Sequence, residues 1–464
     1  MTKSGRMVAQ TVFNGYLCQK RNTTMQFDYC TGSAITKDLM AMLDASPVNF
    51  LAVDYVARQF KAAGFTELDS TLPFPRLETG KGYFIQKNHS SLYVFRKGNK
   101  PVSETGFRLI AAHCDSPCFR IKPMPEMVGE GGIVRLNTEL YGGAILYTWF
   151  DRPLSLAGRV LTRGNNPLCP ITHLLHIKRP LLVIPHLAIH FNRAVNEGNP
   201  LSKQKDMLPV LGLVKDEMER NNLLVNLIAS ELGVKVSEIL DFDLYLYDTT
   251  PACLVGLHGE FINSGRLDDL SMVHAGVSAL LNCNVNDATQ VLAIFDNEET
   301  GSGTKQGAHS PVLRHLLERI VLNEGGNTED FYRSIERSFM VSADNAHGLH
   351  PNYVEKQDPT NHPVLGGGPV IKYNANQKYA TDADSAAVFA EICRKAGVPF
   401  QYFVNHSDVA GGSTLGNILT AQLPFRGVDM GNAIWAMHSV RETGAAIDQE
   451  YVVRAFTEFY NVSY

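Results

Sequence analysis

The chain has 464 residues, 42 basic and 47 acidic, for a formal charge of −5, a balance that offers no electrostatic case for binding nucleic-acid phosphates or anionic lipid. Hydrophobic residues at 44% and charged residues at 19% describe a globular chain long enough for about three ordinary domains, or for one large α/β domain carrying an insertion. The longest apolar run, around 181–191, is broken by Pro185, His186 and His190 and falls short of the roughly 18 residues of a membrane-spanning helix.

The eight cysteines form no CxxC pair and read as reduced thiols of a cytoplasmic protein. Residues 1–30 lack the apolar core of a secretory signal and read as an N-terminal extension. Regular patterning begins at Ser46-Pro47. Serine as a cap, proline in the first turn, Val48, Leu51 and Tyr55 at helical spacing and Gly64 as a stop predict an amphipathic helix. Next, Ser91–Arg96 and 107–112 read as strands, the second buried because its apolar run is continuous.

From about 119 to 247 the texture changes to short strands (133–136, 154–161, 181–184), scattered Gly and Pro, and one helix over about 215–231. This stretch, taken as 118–251, reads as an inserted, mainly β module within a discontinuous domain of 31–117 and 252–464. After it, helices over 270–281, 312–322, 385–396 and 448–460 alternate with strands over 291–295 and 339–342. Such alternation predicts an α/β fold, a mixed sheet flanked by helices.

Three of these strands run into metal-ligand residue types: His113-Cys114-Asp115, Asp296-Asn297-Glu298-Glu299, and Asp344. In open α/β sheets the working crevice lies beyond the carboxyl ends of the strands, so three such endings point to one site. Asp115, two residues past His113, can take the proton of the second imidazole nitrogen and fix its tautomer. Glu298 and Glu299, if on a strand end, point apart, so that one can bind metal while the other serves as general base. Asp268, at a helix start, and His438 complete the set; Asp268 could also simply cap its helix. His113, His438, Asp268, Glu299 and Asp344 make five ligands, enough for two divalent ions that share one carboxylate. Nitrogen and oxygen donors suit zinc, with manganese or cobalt as replacements.

The segments Ala112-His113-Cys114-Asp115-Ser116-Pro117, Ser264-Gly265-Arg266-Leu267-Asp268, Asp296-Asn297-Glu298-Glu299-Thr300-Gly301-Ser302, Ser342-Ala343-Asp344-Asn345-Ala346-His347, Asn374-Ala375-Asn376-Gln377 and Asp429-Met430-Gly431 with Met437-His438-Ser439 resemble the aspartyl aminopeptidases, over about 33–464. The resemblance implies a dizinc exopeptidase whose catalytic domain is split by a dimerisation domain and whose subunits form a tetrahedral dodecamer. It implies that Asp268 bridges the ions, that His113 and Glu299 or Asp344 terminate the two positions with His438, and that Glu298 deprotonates the bridging water while Asp115 orients His113. Within Ile184-Pro185-His186-Leu187-Ala188-Ile189-His190, it implies that a histidine, His190 ahead of His186, reaches a neighbouring subunit's site to stabilise the oxyanion. Lys372 and Tyr379 match the family's pocket for an acidic side chain, so the expected substrates are peptides beginning with Asp or Glu.

Two departures bear on substrate preference: Asp269 follows the bridging residue where Asn is usual, and 408–414 replaces a Pro-Cys-Gly loop. The alternatives are a related dizinc hydrolase acting on neutral amino termini or acylated amino acids, and an oligomeric scaffold without activity. The intact ligand set argues against the scaffold.

Overall fold

An apolar run without alternation forms a strand only where both sheet faces are covered. In the computed structural model, which describes residues 32–214 and 222–463, three such runs lie side by side and parallel in the middle of a nine-stranded sheet. They are Thr289–Phe295, Phe107–His113 and Phe339–Ala343, and every residue in them is buried. Ser91–Arg96 flanks them antiparallel on one side and Arg426–Gly431 parallel on the other. Gly82–Lys87 and Thr66–Glu67 extend one edge of the sheet, Val370–Tyr373 and Gln401–Val404 the other.

Alternate residues of these strands feed two cores. Ile110, Leu292, Val341 and Val428 pack with residues of the helices Ala34–Ala45, Asn49–Ala62, Leu267–Asn282, Ala383–Ala396 and Ala446–Asn461. Leu109, Ala111, Val291 and Met340 pack with those of Val312–Asn323, Thr328–Glu336 and Leu415–Gln422. Each fully buried Leu or Ile contributes about 1.5–3 kcal/mol over its exposed state, so the strand ends are held firmly from both faces. The architecture is the expected mixed sheet flanked by helices.

Between Cys118 and Asp248 the chain builds a separate six-stranded antiparallel sheet. Its order is Cys169–His176, Leu154–Asn166, Ile239–Asp248, Cys118–Val128, Ile133–Tyr141, Val210–Leu213. Phe119, Leu136, Leu156 and Leu244 pack with Leu224 and Ile228 of the helix Leu223–Leu232. Burial alternates along Ile133–Tyr141, the pattern of a strand covered on one face. A smaller cluster of Val48, Phe50 and Leu51 against Ala157, Tyr245 and Tyr247 joins this module to the main body. A further sheet of five short strands includes Phe261–Ser264, Ala433–Trp435 and Glu442–Ala445.

Some expectations shift. Ser46 ends the first helix instead of starting the second, which begins at Asn49 behind Val48. Residues 182–184 make only isolated bridges, to Leu154, Val210 and Phe150, because Pro185 follows and has no N–H to continue a ladder. Part of the helix expected over 215–231, and the extension 1–30, lie outside the described residues. Among the described residues no helix is long and apolar enough to cross a membrane.

Candidate active site

Parallel strands deliver side chains at their carboxyl ends to one edge of the sheet. His113 is the last residue of its strand, and Asp344 follows Ala343 directly. Glu298 and Glu299 occupy a single 3-10 turn, Glu298–Thr300, and not a strand end as expected. The chain enters this turn through Asn297 at φ 62°, a left-handed conformation that asparagine tolerates. Asp268 stands at the non-helical start of Leu267–Asn282, and its peptide bond to Asp269 is cis. His438, at φ 69°, lies in the turn after Ala433–Trp435.

Asp268 lies between the two imidazoles. Its Oδ1 is 3.7 Å from His113 Nε2 and its Oδ2 is 3.7 Å from His438 Nε2. His438 Nε2 is also 3.3 Å from Glu299 Oε2. Donor atoms of His113, Glu298 and Glu299 lie within 4.8 Å of one another, as do those of Asp268, Glu299 and His438, and those of His113, Asp268 and Asp269. Asp344 stands outside these groups with Oδ1 3.3 Å from Lys372 Nζ. It is close enough for its charge to act on Asp268 and Glu298.

Behind these side chains, three buried or nearly buried carboxylates hold the backbone of the candidate ligands. Asp115 accepts the N–H groups of Glu298 and Glu299, each at 3.1 Å, and the Tyr141 hydroxyl at 2.7 Å. His113 Nδ1 lies 3.1 Å from the Asp115 backbone carbonyl and 3.4 Å from its carboxylate. The nearer acceptor for the ring proton is thus the carbonyl, where the sequence suggested the side chain. Asp269 accepts the His113 N–H at 3.2 Å. Glu442 accepts the N–H of Asp268 at 3.0 Å and that of His438 at 2.7 Å, tying together two residues 170 positions apart in the chain. Sequence reasoning assigned no role to Asp269, Glu442 or Tyr141. Only the doubled acid Asp268-Asp269 carried a visible signal.

The charge of the site is out of balance. The carboxylates of Asp115, Asp268, Asp269, Glu298, Glu299, Asp344 and Glu442 outnumber the fixed cations among them, the ammonium of Lys372 and the Arg266 guanidinium on the side of Glu442. Burial first, then neighbouring carboxylates, pushes Asp268 up to about 6 and Glu298 and Glu442 up to about 8. Asp268 Oδ1 and Glu299 Oε1 are buried with no hydrogen-bond partner. Buried anionic oxygens left unpaired cost several kcal/mol each, a cost that divalent cations among them relieve. Donors of nitrogen and oxygen without thiolate fit zinc.

Lys372 is buried. Its Nζ donates to the carbonyls of Asp344 (2.7 Å) and Asn345 (3.2 Å) and lies 5.3 Å from the Tyr379 ring centre. His190 lies apart, exposed on a turn of the inserted module with no hydrogen bond among the described residues. His186 is pinned instead, by an edge-on contact with Phe150 and a bond to the Leu187 carbonyl at 2.9 Å.

The chain is similar to known proteins along most of its length. Residues 42–460 match the family model of the aminopeptidase I zinc metalloproteases, M18. A probable M18 family aminopeptidase 2 of Clostridium acetobutylicum is 51% identical over 426 residues, 92% of this chain and 98% of that one. Among solved structures, the cryo-electron microscopy structure of an Ape4 and Nbr1 complex matches with a TM-score of 0.88 at 36% identity, covering 92% of this chain and 85% of that chain. The S. cerevisiae mApe1 dodecamer matches with a TM-score of 0.80 at 25% identity, covering 92% and 96%. Near full-length similarity, to which the metal-type donors gathered at the strand ends are suited, leads to one assignment: the chain belongs to the M18 family and is a zinc aminopeptidase.

Proposed function

We propose that this aminopeptidase removes aspartate and glutamate from the amino termini of peptides and holds two zinc ions per chain, with manganese or cobalt able to substitute. The observation that carries the reading is Asp268, whose oxygens face His113 and His438 at equal distance, with Glu298 beside the first. In it, Asp268 would be shared by two ions, with His438 and Glu299 holding one and His113 and Asp344 the other. Bound zinc supplies Lewis acidity that polarises the scissile carbonyl and acidifies water. Glu298, whose carboxylate has no hydrogen bond among the described residues, takes a proton from the attacking water and returns it to the departing amine. Asp115 keeps the glutamate turn in register by holding both of its N–H groups.

Acidic specificity rests on Lys372 and Tyr379. An ammonium has three donors, and those of Lys372 face two carbonyls and Asp344 Oδ1. Only the last, itself a ligand in this reading, can give way to a substrate carboxylate. The same contacts favour a second reading, in which Lys372 only holds Asp344 and the enzyme prefers neutral residues. The match of Lys372 and Tyr379 to the acidic-side-chain pocket of the resembling family supports the first reading; a cavity of about 370 Å³ reaches Met437, next to His438, without including either residue. It is lined by His347, His350, Lys356 and His406 and by no carboxylate.

Assembly into a dodecamer is inferred from the yeast relative. It gives His190 a role, stabilising the oxyanion in a neighbouring copy's site, and its exposure beside exposed Leu187, Ile189 and Phe191 supports that. A cytoplasmic setting is supported by the six described cysteines, all free thiols. Hydrolysis of amino-terminal Asp and Glu against Leu, Ala and Lys by the zinc-loaded protein tests the specificity. A clear excess for the acids, abolished in Lys372→Met, is expected; equal or faster release of Leu by the unmodified enzyme overturns it.

A further inference from the structure

The inserted module contributes no candidate ligand from its own chain to the site, yet one short stretch of it touches two ligands at once. Tyr141 ends the strand Ile133–Tyr141. Its hydroxyl donates to Asp115 Oδ2 at 2.7 Å and accepts from Asn297 Nδ2 at 2.8 Å, so it grips both the carboxylate under the glutamate turn and the residue that opens that turn. Asp115 passes the constraint to the N–H groups of Glu298 and Glu299. Gly142 comes next, at φ 69°, and a Cβ there would stand 3.1 Å from Glu299 Cβ. The Gly143 carbonyl lies 3.1 Å from His438 Nδ1, and the Ile145 N–H donates to the His438 carbonyl at 3.0 Å. An acceptor at Nδ1 keeps the proton there and leaves Nε2 free to face Asp268 and Glu299.

We propose that Tyr141 is a positioning residue of the metal centre, through which the inserted module sets the Glu299 and His438 metal position while leaving the His113 position to the main sheet. The inference rests on the two-ion reading above. His113 is held at one remove from the module, since its N–H goes to Asp269 and its Nδ1 to the Asp115 backbone carbonyl, whereas Tyr141 bonds the Asp115 carboxylate. Glu299 and His438, on a 3-10 turn and a loop turn, lack strand neighbours of their own, and the stretch 141–145 supplies the missing support. Outer partners of this kind typically change metal affinity by about 10- to 100-fold when removed.

The test compares Tyr141→Phe with Tyr247→Phe in the full chain. The second variant removes a buried hydroxyl of the same module that bonds the Ile177 carbonyl at 2.8 Å and not Asp115. Bound zinc is measured per chain during graded chelation, and the absorption of the cobalt-loaded protein is recorded. Expected for Tyr141→Phe is one ion lost at about 10-fold or more lower chelator strength, the other retained, and an altered cobalt spectrum. Tyr247→Phe should lower thermal stability alone. Equal chelation curves and unchanged spectra in both variants overturn the positioning role. A wild-type protein that binds a single ion overturns the two-ion reading instead, which separates the two failures. Should Tyr141→Phe not fold, Gly142→Ala, which crowds Glu299 from the same stretch, is read by the same two measurements.

Discussion

The central and inserted sheets are built on opposite terms. In the first, whole strands such as Phe107–His113 are buried and helices cover both faces; in the second, burial alternates and one helix serves the described core. The four most exposed large apolar side chains among the described residues, Met124, Leu168, Phe191 and Leu213, all belong to the inserted module. All five candidate metal ligands belong to the main body, whereas the inserted module offers hydroxyl, carbonyl and N–H supports. One half of the molecule is finished when it folds, and the other keeps apolar surface in reserve. Isolated exposed apolar residues need no explanation, but a concentration of them in one module marks a contact surface.

Several substitutions would break or sharpen that division. The largest effect belongs to the finished half: Glu298→Gln should retain zinc and lose about 10²- to 10⁴-fold in turnover, and loss of zinc in this variant would make Glu298 a ligand. Next is His190→Ala, expected to fold, keep its metal and lose about 10²- to 10³-fold, the usual effect of one oxyanion donor. Mixing it with Glu298→Gln under subunit exchange should restore part of the activity. If tagged pull-down shows mixed oligomers and activity stays absent, His190 acts in its own subunit or only structurally.

A third experiment sets the two sheets against each other. Ile110→Ala, in a fully buried position, should destabilise by about 2–5 kcal/mol, whereas Phe191→Ser, at 81% exposure, should leave chain stability within about 0.5 kcal/mol and weaken assembly in sedimentation. The smallest expected effect concerns Asp448, which accepts the N–H groups of Gly366 and Gly368 and is pushed up to about 6 by burial. Its folded form keeps a proton that the unfolded chain releases near pH 4, so this group's contribution to stability falls as pH rises from about 4 to 6, by about 2–3 kcal/mol in all. Asp448→Asn should flatten that slope in denaturant titrations, and an unchanged slope would show that Asp448 does not cause it.

What the sequence made legible follows the same divide. Strand Phe107–His113 and helix Val312–Asn323 were predictable almost to the residue, because continuous apolar runs and helical periodicity reflect burial directly. The residue types gathered at the strand ends were legible too. The turn carrying Glu298 and Glu299 was not, because its geometry is set by Asp115 and Tyr141, more than 150 positions away. Glu442 escaped for a related reason: a carboxylate that serves two distant backbone N–H groups leaves no local pattern. Residues 181–184 had strand composition but no continuous neighbour to pair with, a fact of tertiary structure.

The inserted module leaves the main chain at Cys118, five positions after His113, and ends its last strand at Asp248. Both crossings, the cluster of Val48, Phe50 and Leu51 with Ala157, Tyr245 and Tyr247, and the bond from the Tyr141 hydroxyl to Asp115 tie the module to the main body. The border between the two sheets therefore runs along the candidate site, and a substitution that loosens that border is felt first by the turn whose N–H groups Asp115 holds.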